Sequence, residues 1–170
     1  MHDHMGNDQV RDGGAERALL RHTVATLAYR GGKALRGAPA DFSSVRAKDG
    51  SRSAGEILAH VGDLFDWALS LADGGHDWRP RPPQAWDQDV ARFFDALARF
   101  DARLASDAPL GCRAEQLFQG PIADALTHIG QIALLRRLAG SPVRAENYFK
   151  AEIVSGRVGA EQATPRREFD

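Results

Sequence analysis

The chain has 170 residues, of which 43% are hydrophobic, and a formal net charge of -1 at pH 7. That size and apolar share suit one domain with a sizeable core, and so balanced a charge leaves no electrostatic footprint for nucleic acid or an anionic membrane. The lone Cys112 excludes an intrachain disulfide and a cysteine-based zinc knuckle, no apolar run approaches the roughly 20 residues of a membrane span, and the opening residues lack an apolar signal core, so the expected compartment is the cytoplasm.

Residues 1–13 are polar and glycine-containing, the composition of a disordered end, and His2 and His4 are expected to be inert there. A first helix is expected over about 14–36, with Leu20, Val24 and Leu27 on one face, His22 on the surface, and Gly31 and Gly32 weakening its second half. Residues 37–52 are rich in glycine, proline, serine and charge, which reads as a polar crossing connection with no core element. Ser53 and Glu56 then form the two ends of a capping box, and a second helix runs to about Ala72, stopped by Asp73, Gly74 and Gly75. Its inward stripe is Ile57, Val61, Leu64, Ala68 and Leu71.

A proline-rich loop over 74–86 follows, whose Trp78 and Trp86 are expected to pack over a bundle end. The third helix, about Asp87 to Ala105, carries the apolar stripe Val90, Phe93, Phe94, Leu97, Phe100 and Leu104, with Asp101 at its edge. Gly120 and Pro121 are read as the opening of a fourth helix, with proline in the first turn, and Gly140 and Pro142 as its close. Glu146 to Ile153 reads as a short helix or strap, and 156–170 as a polar tail. Cys112, in a loop beside Arg113, reads as a small packed residue, and Ser53 as a cap with no nucleophilic role.

The fourth helix is the most informative stretch. Asp124, Thr127, His128 and Gln131 stand at i, i+3, i+4 and i+7, one helical face, while apolar residues around them leave no evident solvent face. A central helix is therefore expected, with this polar stripe buried or lining a cleft. Burying a carboxylate and an imidazole without partners is costly, so either a metal ion or a hydrogen-bonded network must satisfy them. His60 repeats the pattern on the inward face of the second helix, flanked by Glu56, Asp63 and Trp67. Two imidazoles and a carboxylate from facing helices suit zinc, nickel or iron with a position left open for water or substrate, whereas core histidines paired with acids are common as purely structural networks, the commoner outcome for periodicity alone.

His60 within Glu56 to Val61, and His128-Ile129-Gly130-Gln131 followed by Leu135 to Val143 and by Glu146 to Phe149, resemble the DinB-like superfamily over roughly residues 15–155. The resemblance implies an all-α four-helix bundle with a long connection between helices one and two, often a homodimer, holding one divalent metal. It implies His60 and His128 as ligands, with Asp124 standing where the family usually has a further histidine, and Gln131, Thr127 and Asp63 as groups that orient them. It also implies a small-molecule substrate and S-transfer from a low-molecular-weight thiol such as mycothiol or bacillithiol, whose pKa the metal lowers. Metal-dependent hydrolysis and a metal-free, non-catalytic dimer are the alternatives, and neither nucleic acid nor membrane is an expected partner.

Overall fold

The computed structural model describes residues 13–169; His2, His4 and all of the expected disordered end but Gly13, which begins the first helix, lie outside them. The fold is all-α. Helices α1 (Gly13–Leu35), α2 (Ala54–Ala72) and α3 (Trp86–Ala105) are followed by one continuous helical run: α4 (Ala114–Leu117), a π turn (Phe118–Ile122) and α5 (Ala123–Leu138). No strand forms among the described residues, only the isolated bridges Arg46 to Ser53 and Glu146 to Glu168.

The helices pack as a bundle in which α1 and α2 each contact both α3 and α5. Consecutive helices α1 and α2 are therefore set diagonally, and a short turn cannot join a diagonal pair. This is what the 37–52 connection is for. It was too polar by composition to suggest a core element, yet Phe42 in its single 3₁₀ turn (Phe42–Ser44) is fully buried, edge-on to Trp86 at 5.2 Å. One aromatic residue anchors the crossing while its polar neighbours stay outside. Trp86 accordingly packs as expected near a helix end, being the first residue of α3.

Ser53 closes α2 as read: its side chain accepts from the Glu56 amide at 3.2 Å and the Glu56 carboxylate accepts from the Ser53 amide at 2.7 Å. Helix α1 continues through Gly31 and Gly32, and a Cβ at Gly31 would stand 2.5 Å from Phe93 Cζ. The missing side chain is what admits the α3 phenylalanine. All of Leu20, Val24, Leu27, Phe93, Leu97, Phe100 and Leu104 are buried in one cluster with Ile122, Ala125, Ile129 and Ile132.

The fourth helix departs from expectation twice. Pro121 does not open it: the helical run begins at Ala114, and Pro121 sits inside the π turn. A proline inside an α-helix removes an amide donor and crowds the preceding turn, and the wider π turn absorbs both. Nor is the helix enclosed on all sides. Thr127, Gly130, Gln131, Leu134 and Leu138 are exposed, so the polar stripe borders an open cleft.

Residues past 155 are not a loose tail. Val158 joins the core, Lys33 pairs with both Glu146 and Glu168 at 2.7 Å, and the Tyr29 hydroxyl donates to Glu146 at 2.6 Å. The segment from Ala145 onward is a strap fastened to α1. No helix among the described residues is long and apolar enough to cross a membrane.

Candidate metal centre

The adjacent pair α2 and α5 brings three of the expected residues to one point. His60, Asp124 and His128 each offer a ligand atom within 4.8 Å of the other two. His60 Nε2 is 3.6 Å from Asp124 Oδ2, His128 Nδ1 is 3.2 Å from Asp124 Oδ1, and the two imidazole centroids are 4.7 Å apart. The i, i+4 spacing of Asp124 and His128 on a regular helix places both over the same turn, opposite His60.

His128 Nδ1 lies 2.8 Å from the Asp124 carbonyl oxygen, which only accepts, so Nδ1 donates there and Nε2 is the ring nitrogen left for a ligand bond. Burial pushes the His60 imidazole below its ordinary value of 6.5, assisted by nearby His128 and Arg52 and opposed by Asp124, so at pH 7 it is neutral. At 3.6 Å from Asp124 it makes no hydrogen bond to that carboxylate. The Asp124 side chain remains 45% exposed.

Those donors fit a divalent transition metal. Four ligands at about 2.1 Å in a tetrahedron stand about 3.4 Å apart, and the His60 Nε2 to Asp124 Oδ2 separation of 3.6 Å is close to that. Two imidazole nitrogens and a carboxylate are the donor types such a metal takes.

Other expected contributors sit elsewhere. Asp63 is buried in an ion pair with Arg92 at 2.6 Å and accepts from the Arg81 amide at 3.2 Å, so it ties α2 to α3 and the proline-rich loop and orients no ligand. Its position one turn from His60 puts it on the flank that faces α3. Thr127 donates to the same Asp124 carbonyl as His128, at 2.7 Å, and reaches no ligand side chain. Gln131 lines the cleft. Asp101 is paired with Arg21 at 2.9 Å, and Glu56 with Arg46 at 2.8 Å. His22 is exposed, as read.

Two residues not singled out at the site belong beside it. Trp78 does not cover a bundle end: its half-exposed ring stands edge-on to His60 at 5.7 Å and to Trp67 at 5.7 Å, carried there by the loop after α2. Arg52, the residue before the Ser53 cap, joins His128, Gln131, Ile57, Leu134 and Leu135 around a cleft of about 370 Å³. Neither contact follows a helical spacing. Only the position of Arg52 just ahead of α2 hinted that it would share a neighbourhood with His60.

A larger hollow of about 470 Å³ lies between the start of α1 and α4, lined by Cys112, Arg17 and Arg113 among others. It holds no comparable donor set. Burial pushes the Cys112 thiol up, away from thiolate, and Arg17 is spent on the carbonyls of Leu104, Ser106 and Ala108. No protein-family model, curated protein or solved structure matches the chain.

Proposed function

We infer that the chain is a DinB-like bundle in which His60, Asp124 and His128 hold one divalent transition metal, zinc, nickel or iron, and that the site transfers a low-molecular-weight thiol to a small-molecule substrate. The convergence of these three side chains from two helices at the edge of a cleft carries the reading. The diagonal setting of α1 and α2, which calls for the long connection, supports the bundle type.

A metal bound there supplies positive charge that lowers the pKa of a coordinated thiol. The protein's own groups prepare this. The Asp124 carbonyl fixes the His128 ring, burial keeps His60 unprotonated, and the carboxylate of Asp124 contributes negative charge toward the cation. The apolar wall of Ile57, Leu134 and Leu135 limits water on the cleft side.

Thiol chemistry suits the cleft better than hydrolysis. Its lining includes no acidic side chain and no imidazole besides His128, so no separate group is placed to protonate a leaving amine or alkoxide, and Glu56 is engaged by Ser53 and Arg46. A thiol starts near pKa 8.5 and needs only a modest shift to ionise at neutral pH. The test is the rate at which a thiol is conjugated to an electrophile by zinc- or nickel-loaded protein. Acceleration that disappears in His60→Ala is expected. Ester or amide hydrolysis without thiol consumption would replace this reading with a hydrolase.

A further inference from the structure

We propose that the cleft beside His128 binds a small organic carboxylate with an apolar chain or ring, its carboxylate held by Arg52 and its body lying along Ile57, Leu134 and Leu135. As the second substrate of a transfer reaction this rests on the metal reading above; as a binding site it does not need the metal.

Arg52 carries the assignment. Most of the arginines that pack against helix ends or other elements are committed: Arg136 and Arg103 to carbonyls, Arg92 and Arg99 to Asp66. Arg52 is exposed, lines the cleft beside His128, and has no carboxylate partner among the described residues. Its backbone is nonetheless fixed. The Arg46 to Ser53 bridge flanks it, Gly50 turns the chain at φ 82°, and Ser51 exchanges hydrogen bonds with Lys48 at 2.7 and 3.2 Å. A rigid support with an unspent guanidinium is suited to an incoming anion, which a planar fork binds through two parallel hydrogen bonds.

The rest of the cleft matches such a ligand. No acidic side chain is among its lining residues, and Ile57, Leu134 and Leu135 offer apolar surface for the body. Gln131 presents on the same wall an amide with no side-chain hydrogen bond among the described residues, available to a second polar group on the ligand.

Octanoate and octanamide, titrated into the full chain stripped of metal with a chelator, separate the charge from the apolar contribution. Octanoate is expected to bind more tightly, shifting the amide resonances of Gln131, Leu134 and Leu135. Arg52→Gln should weaken octanoate about tenfold and leave octanamide unchanged. Leu134→Gln should weaken both. Equal binding of the two ligands, an octanoate affinity indifferent to Arg52→Gln, or no octanoate binding at millimolar concentration would each overturn the assignment. Because the protein in this titration is metal-free, its outcome is independent of whether His60, Asp124 and His128 take up zinc or nickel, which a parallel metal titration reads separately.

Discussion

Asp124 serves the site through two different oxygens. Its backbone carbonyl orients His128, and its carboxylate faces both imidazoles. A side-chain substitution removes only the second. Asp124→Ala is therefore expected to keep the fold and the His128 orientation while lowering zinc or nickel affinity by about ten- to a hundredfold. Asp124→His restores a third imidazole and should retain a bound metal. Competitive chelator titration alongside thermal melts checks both variants; unchanged metal affinity with a large loss of stability in Asp124→Ala would mean that the carboxylate is a structural partner only. A different carboxylate, Asp89, adds a pH dependence of its own. Burial raises the pKa of Asp89 above its ordinary 3.8, although the Gln84 amide donates to it at 2.8 Å. The folded state thus holds this proton more tightly than the unfolded chain. Its contribution to stability is complete below pH 3.8 and is lost as pH rises through the folded value. The difference in melting temperature between Asp89→Asn and the wild type should accordingly grow in the variant's favour from pH 3.5 to pH 7. A difference that shrinks over that range would contradict the assignment.

At the scale of the helices, buried arginines hold the ends together. Arg136 has no carboxylate partner among the described residues, and burial depresses its pKa, yet all five donors are used: on the carbonyls of Ala34, Arg36, Gly37 and Ser141 and on the Ser141 hydroxyl, at 2.9–3.1 Å. Those acceptors are the orphan carbonyls and following turns of α1 and α5, where the helix dipoles favour a cation. Lysine keeps the charge and offers three donors on one atom. Arg136→Lys should cost about 2 kcal/mol or more by denaturant titration, and a neutral result would show the clamp to be dispensable. Gly31→Ala should cost about 1–3 kcal/mol, since the new Cβ meets buried Phe93; an unchanged midpoint would show that Phe93 yields freely. These features divide what could be read from sequence. The capping box and the apolar stripes are local, with fixed spacing, and were legible. The π turn around Pro121 was not, because a proline after a glycine has the same local signature at a helix start as inside a widened turn. The burial of Phe42 was hidden by the polarity of its neighbours.

Across the whole molecule, the site was legible where helical periodicity carries it. His60, Asp124 and His128 sit at spacings that point inward on their own helices, and their meeting required only that those helices be neighbours. Trp78 and Arg52 reach the same place through loops, where no period applies. Asp63 was misjudged because one turn from an inward histidine can still face α3, where Arg92 claims it. The exposed Leu138 at the end of α5 and the almost fully exposed Phe149 on the strap leave apolar surface that a monomer does not cover. Sedimentation at micromolar concentration is expected to show a homodimer, and a single monomeric species would exclude it.

The most direct measurement is the metal content of the untagged chain, with His2 and His4 replaced by alanine, after exposure to zinc or nickel and gel filtration. About one equivalent per chain is expected, falling to background in His60→Ala with helical circular dichroism unchanged. A wild-type chain that stays metal-free in excess zinc and nickel, or a His60→Ala variant that retains full occupancy, would contradict the assignment of His60, Asp124 and His128 as a metal centre.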